Sequence, residues 1–184
     1  MSTPSLWIVR WAHLIAAGGT VLDVAAGAGR HARWLAARGH RVTAVDRDAE
    51  AMAALAGHAE VVTADIEGAP WPFAGRTFDA VVVANYLWRP LLPALTAALA
   101  PGGVLLYETF AAGNETVGRP ERPDFLLGHG ELLTAAAGLR IVAYEDGFLS
   151  DPDRFVQRLA AVRARASDSA ERHPLAAGEG DDAR

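Results

Sequence analysis

Thr20-Val21-Leu22-Asp23-Val24-Ala25-Ala26-Gly27-Ala28-Gly29-Arg30, followed by Ala44-Val45-Asp46 at the end of the next apolar run, decides how this chain reads. Val21, Leu22 and Val24 have the composition of a strand buried on both faces of a parallel sheet. Gly27 and Gly29 then permit a tight turn in which the backbone can lie close to a ligand. The pattern predicts a helix from about Arg30 through Ala32, Trp34, Leu35 and Ala36, with Gly39 as its stop. Arg41 to Val45 reads as the second strand. It delivers the Asp46 carboxylate beside the first turn, where two ribose hydroxyls can share its oxygens.

Gly27-x-Gly29-x-x-Ala32 also satisfies a relaxed dinucleotide fingerprint, with an acid about 20 residues on, so the nature of the nucleoside is a real fork. Three details favour S-adenosyl-L-methionine over nicotinamide. Asp23 stands inside the first strand, where it can face an ammonium group and would repel a pyrophosphate. Val62-Thr63-Ala64-Asp65-Ile66 places a further acid at the end of a third strand, suited to an adenine amino group. The sequence also leaves little room for a separate substrate domain. The rival readings are an NAD-dependent oxidoreductase and a non-catalytic S-adenosylmethionine-binding protein.

Asp23, Gly27, Gly29, Asp46 and Asp65 in this order resemble the class I S-adenosylmethionine-dependent methyltransferases, and the resemblance extends over roughly residues 5 to 165. The family's first motif, Asp/Glu-x-Gly-x-Gly-x-Gly, appears here as Asp23-Val24-Ala25-Ala26-Gly27-Ala28-Gly29, with Ala25 in place of the first glycine. Alanine disfavours positive φ, so Ala25 is expected in an ordinary backbone region unless the turn shifts. The resemblance implies a cofactor site made of Asp23, Ala25, Gly27, Gly29, Arg30, Asp46, Arg47, Asp65, Ile66 and Asn85. It implies a Rossmann-like, doubly wound α/β sheet of seven strands in the order 3-2-1-4-5-7-6, the seventh antiparallel. The stretches Gly27 to Ala36 and Pro123 to Leu132 are similar to the small tellurite-resistance and thiopurine-type methyltransferases, which act on small soft nucleophiles.

Composition agrees with one compact domain over residues 1–165, since 51% of the 184 residues are hydrophobic. Residues 166–184 lose apolar character and read as a disordered tail. The chain contains no cysteine and no lysine, all 17 basic residues being arginine. Disulfides, thiolate metal sites, cysteine-adduct methylation and Schiff-base catalysis are thereby excluded. No metal site is expected. A net charge of −5 gives no general attraction to phosphate backbones, so nucleic acid is not an expected partner. Arg30, His31, Arg33, Arg38 and Arg41 read as a solvated basic face. The apolar stretch Leu6 to Ala17 is interrupted by Arg10 and His13 and is too short to span a bilayer, which points to a cytoplasmic protein. Oligomeric state is left open.

Thr3-Pro4 reads as the start of a first helix that ends at Gly18-Gly19, with Trp7, Arg10 and Trp11 as candidate lid residues. Asp48 caps a helix to about Ala56. Strands follow at Glu60–Ala64, Phe78–Ala84 and Val104–Phe110, then Leu139–Tyr144 and Phe155–Val162 as an antiparallel pair. Pro90–Ala100 and Gly130–Ala137 read as helices, and residues 111–129 as a long loop. Candidate bases are Glu108, Tyr86 and His129, with His13 and His31 behind them, and Arg30 is a candidate partner for Glu108. Trp71, Phe73, Tyr86, Trp88 and Phe110 could line an aromatic pocket for a small-molecule acceptor.

Overall fold

A computed structural model describes residues 3–166 and 171–175. Seven strands form one sheet: β1 (Thr20–Val24), β2 (Arg41–Asp46), β3 (Glu60–Thr63), β4 (Phe78–Ala84), β5 (Leu99–Phe110), β6 (Arg140–Leu149) and β7 (Arg154–Val162). Their order is β3-β2-β1-β4-β5-β7-β6. The first five run parallel, and β7 is antiparallel to both β5 and β6. This is the topology expected from the sequence. The order reverses between β1 and β4, and in such a sheet ligands bind outside the carboxyl ends of the strands at that point.

Each face of the sheet carries its own core. Val21, Ala44, Val82 and Leu106 pack beneath α1 (Leu6–Trp11), α2 (Arg30–Ala36) and the turn after α3 (Ala49–Ala53). Leu22, Val45, Val83 and Tyr107 point the other way, toward α4 (Leu92–Ala97), Phe73 and Leu132 of α5 (Glu131–Ala135). Alternation of side chains along each strand thus serves two apolar layers, which is why β1 and β4 read as almost continuous hydrophobic runs.

Several boundaries differ from the sequence reading for identifiable reasons. The N-cap of α1 is Ser5, not Thr3, because the Ser5 hydroxyl accepts the Trp7 N–H at 3.1 Å. After Trp11 the chain tightens into a 3₁₀ turn over Ala12–Leu14, so the helix stops well before Gly18. β5 begins at Leu99 and includes Pro101-Gly102-Gly103. The residues paired with Phe78 and Ala80 are Leu99 and Val104, so the intervening segment bulges out, with Gly102 at φ +82°. Helix α4 is correspondingly shorter than expected. β6 runs on to Leu149 because β7 pairs with it as far as Arg154.

Of the expected tail, residues 167–170 and 176–184 lie outside the described residues. Glu171 lies 2.8 Å from Arg165, and the Pro174 carbonyl 3.0 Å from His13 Nε2. No helix among the described residues is long and apolar enough to cross a membrane.

Candidate cofactor site

The carboxyl ends of β1, β2, β3 and β4 open onto two clefts that share Ala25. One, of about 280 Å³, is lined by Ala25, Asp46, Arg47, Asp65, Ile66 and Tyr86, with Ala64 and Glu67 completing it. The second, of about 310 Å³, is bounded by residues 25–28, Arg30, His31, Ala84 and Asn85. Eight of the ten residues expected to hold the cofactor therefore border this space: Ala25, Gly27, Arg30, Asp46, Arg47, Asp65, Ile66 and Asn85. Asp23 and Gly29 do not.

Asp46 is held from both sides. Its Oδ2 accepts the Gly27 N–H at 2.8 Å and its Oδ1 the Asp48 N–H at 3.0 Å, and each oxygen keeps a further lone pair for a ligand. Asp65 is exposed, and its Oδ1 accepts the N–H groups of Glu67 and Gly68. Those two backbone donors hold its carboxyl below the usual range, so it is ionised at neutral pH. Both carboxylates are thus held in place before any ligand arrives.

Ala25 adopts φ +52°, contrary to the expectation of an ordinary backbone region, and Asn85 adopts φ +56°. These left-handed conformations sit side by side at the ends of the paired strands β1 and β4. For alanine the conformation costs about 1–2 kcal/mol, and such strain characteristically gathers at ligand sites. The turn keeps the geometry that a glycine would give it.

Asp23 is buried, and its Oδ2 accepts the Ala32 N–H at 3.0 Å, tying β1 to the first turn of α2. Its side chain points beneath α2, in the layer of Val21, so it positions the turn from behind. Desolvation pushes its pKa up to about 7, against the Ala32 hydrogen bond and Arg30, which lower it. Gly29, at φ +71°, has a packing role: a Cβ there would lie 2.2–2.5 Å from the side chain of the buried Leu55.

His31 is not part of a solvated basic face. It is buried, and its Nε2 accepts the Ser5 N–H at 3.1 Å. Burial and then the charge of Arg30 lower its pKa to about 4. Arg38 and Arg41 are exposed as expected, Arg38 stacking on Trp34 with its guanidinium carbon 3.8 Å from the ring centre, and Arg33 reaches the Ala54 carbonyl at the surface. The sequence signal that could have singled out His31 is its place in the first turn of the helix that follows the glycine loop.

Glu108 is buried at the carboxyl end of β5, and Arg30 is not its partner. Oε1 accepts the Ser5 hydroxyl at 2.9 Å and Oε2 lies 3.4 Å from Arg158, whose guanidinium rests over Trp7 and also pairs with Glu145. The proposed lid residues belong to this packing. Trp7 and Trp11 are buried, the Trp7 indole N–H donates to the Leu159 carbonyl, and Arg10 lies 3.6 Å from Glu145. His129 is exposed, 2.8 Å from Asp146 on the outermost strand β6. Four strand spacings separate β6 from β1, about 19 Å. The Tyr86 phenol is driven above its ordinary pKa by burial and then by Glu67. His13 lies at the far end of the first turn region, between the Arg10 and Pro174 carbonyls. Of the expected aromatic pocket, Tyr86 alone lines a cleft; Trp71, Phe73 and Phe78 stack edge to face in the core.

Asp23 and His31 make opposite contributions to stability. Between about pH 4 and 7 folded Asp23 retains a proton that the unfolded chain has released, so its contribution falls as pH rises. Between about pH 4 and 6.5 unfolded His31 takes up a proton that the folded residue refuses, so its contribution rises with pH. Relative to the parent protein, Asp23→Asn should make melting temperature climb more steeply with pH over this window, and His31→Gln should make it climb less. Calorimetric scans at half-unit pH steps check this; profiles parallel to the parent in both variants would contradict it.

Comparison with known proteins fits this geometry. Residues 21–103 match the family model described as a methyltransferase domain. Among solved structures the chain is similar to TehB from Haemophilus influenzae, with TM-score 0.69, 19% identity, and coverage of 83% of this chain and 60% of that one. It is also similar to a TehB-like S-adenosylmethionine-dependent methyltransferase from Corynebacterium glutamicum (TM-score 0.57, 23% identity, coverage 84% and 86%). A third is the N-methyltransferase NodS from Bradyrhizobium japonicum (TM-score 0.64, 19% identity, coverage 84% and 93%). The chain thus spans less than two thirds of the Haemophilus protein. No curated protein matches it. Residues 21–103 thus match a methyltransferase domain, and the strand order 3-2-1-4-5-7-6 gives the chain the fold of the S-adenosylmethionine-dependent methyltransferases it is similar to.

Proposed function

We propose that the chain transfers the methyl group of S-adenosylmethionine to a small-molecule acceptor that is already nucleophilic at neutral pH. The observation that carries this is the state of the candidate bases among the described residues. Glu108 is buried and engaged by Ser5 and Arg158. His31 is held neutral with its Nε2 occupied. The Tyr86 phenol is protonated, and His129 lies beside Asp146 of the far strand β6. A thiolate or a metalloid oxyanion needs no proton removed, whereas a hydroxyl or a protonated amine does.

The site residues fit the cofactor. Asp46 would take the ribose hydroxyls, Asp65 the adenine amino group, and the cleft of Ala25, Gly27, Arg30 and Asn85 the amino-acid end, with Arg47 and Ile66 flanking the base. Bound S-adenosylmethionine supplies an electrophilic methyl on a sulfonium leaving group. The acceptor's lone pair forms the new bond to carbon while the carbon–sulfur pair leaves with sulfur, so the protein has chiefly to align and desolvate the partners. Alignment alone can be worth about 7–11 kcal/mol. Among the described residues no cluster of three or more His, Asp or Glu could hold a metal, and the chemistry proposed requires none.

Two solved neighbours are named as N-methyltransferases, NodS and coclaurine N-methyltransferase, so amines belong in the test. Purified protein with S-adenosylmethionine would be offered thiols, selenite and tellurite, amines and phenols, and S-adenosylhomocysteine release followed. Turnover with the soft anionic class and little with amines or phenols supports the reading; turnover confined to amines or phenols contradicts it. Asp46→Ala is expected to weaken cofactor binding by about 1.5–3 kcal/mol, the range for a hydrogen bond to a charged group. Calorimetry checks this, and unchanged affinity would remove Asp46 from the site.

A further inference from the structure

The cleft of about 310 Å³ outside β1 and β4 is walled by residues 25–28, Arg30, His31, Ala84 and Asn85, and no carboxylate borders it. The neighbouring cleft, by contrast, holds Asp46, Asp65 and Glu67. His31 is 3% exposed, and one contact fixes the state of its ring. The Ser5 backbone N–H can only donate, so His31 Nε2, 3.1 Å away, accepts and carries no proton. The single ring proton then sits on Nδ1. That atom has no hydrogen-bond partner among the described residues, and it is not sealed in as His40 Nδ1 and Trp11 Nε1 are. A buried donor left open on a cleft wall is a place where a ligand can supply the partner.

Ser5 is itself immobilised, because its hydroxyl donates to the buried Glu108 at 2.9 Å and accepts the Trp7 N–H at 3.1 Å. The segment before α1 therefore sets the protonation of a side chain in the cleft. Arg30, half-buried in the same wall, forms no ion pair among the described residues. Its guanidinium and the His31 Nδ1–H both donate and cannot accept. An oxyanion carries the complementary chemistry, and the planar guanidinium suits it.

We propose that His31 Nδ1–H and the Arg30 guanidinium form an oxyanion site in this cleft, with the Ser5 N–H fixing His31 as its donor. The proposal deepens the S-adenosylmethionine reading and rests on it. Two oxyanions present this chemistry, the carboxylate at the cofactor's amino-acid end and an anionic acceptor such as selenite. His31 is a binding residue here and takes no proton in the reaction, and Ser5 acts through it.

Two replacements split the functions of the ring. In His31→Gln the amide oxygen reaches the place of Nε2, so Ser5 keeps its acceptor while the cleft loses its donor. In His31→Asn the amide nitrogen takes the place of Nδ1, so the donor stays while Ser5 loses its partner. Both variants, Arg30→Gln and the parent would be titrated calorimetrically with S-adenosylhomocysteine, with methylthioadenosine, which lacks the carboxylate, and with selenite in the presence of S-adenosylhomocysteine. His31→Gln and Arg30→Gln should each weaken one oxyanion roughly 10-fold, the effect of one hydrogen bond to a charged group, and His31→Asn should bind it within about twofold of the parent. A loss for S-adenosylhomocysteine with methylthioadenosine unchanged identifies the cofactor's carboxylate; a loss confined to selenite identifies the acceptor. Nitrogen NMR of the parent at neutral pH should show His31 protonated at Nδ1 alone. Unchanged affinity for both oxyanions in either glutamine variant overturns the proposal, as do equal losses in His31→Gln and His31→Asn, an equal loss for methylthioadenosine, or a His31 proton on Nε2. Thermal melts establish that each variant folds, and Arg30→Gln with the NMR measurement decides the matter should His31→Gln not fold. Each of these outcomes leaves the cofactor reading standing. A parent protein that binds neither S-adenosylhomocysteine nor methylthioadenosine overturns both.

Discussion

Replacing Gly27 by valine is expected to abolish cofactor binding while leaving a folded protein. Gly27 sits at φ +53°, and a Cβ built on it meets no atom within 4 Å, because it projects into the mouth of the cleft. The branched side chain would occupy the volume assigned to the ligand. The folded state pays only for the left-handed backbone, about 1–2 kcal/mol, which a domain of ordinary stability tolerates. Affinity for S-adenosylhomocysteine should fall by roughly 100-fold or more, equivalent to about 2.8 kcal/mol. Titration with a parallel thermal melt separates the two effects, and normal affinity in a folded variant would place the ligand elsewhere.

Gly29→Ala should fail in the opposite way. At φ +71° the new methyl meets Leu55 Cδ2 at 2.2 Å, and Leu55 is fully buried beneath the sheet's α2 side. The strained backbone costs about 1–2 kcal/mol and overpacking about 1–3 kcal/mol. For a protein of this size the sum lowers the melting temperature by roughly 5–15 °C. Differential scanning calorimetry measures it. A shift of less than about 2 °C would mean that the turn after α3 moves freely and that Gly29 is not a packing residue. Two glycines in one motif thus carry separable duties, one facing the ligand and one facing a neighbouring turn.

That separation marks the boundary of what local sequence makes legible. Asp46 and Asp65 at the ends of β2 and β3 and Gly27 at the turn follow from spacing, since period and turn chemistry act over a few residues, whereas the strand order was legible only through the family resemblance. The contact of Gly29 with Leu55 joins segments far apart in sequence, and no local pattern announces it. The same holds for Glu108, whose partners Ser5 and Arg158 come from opposite ends of the chain. Asp23 reads as a ligand contact because its position in the motif is right, but the pleat turns its side chain under α2.

Ala25 shows a tertiary demand overriding a local preference. Pairing of β1 with both β2 and β4 fixes where the chain must turn, and the alanine adopts the left-handed region to meet it. The loop over residues 111–129 is a further case. Arg89, just past the end of β4, pairs with Glu131 and donates to the carbonyls of Asp124 and Leu126, while the buried Asn114 accepts the Phe155 N–H and donates to the Pro120 carbonyl. Those links anchor a segment whose composition shows only glycine, proline and charge.

The most direct test of the central claim is calorimetric titration of the parent protein with S-adenosylmethionine, S-adenosylhomocysteine and, separately, NAD. The matched methyltransferase domain and Asp65 at the end of β3 predict micromolar binding of the first two and no measurable binding of NAD. Binding of NAD in their place, or of none of the three, would contradict the account.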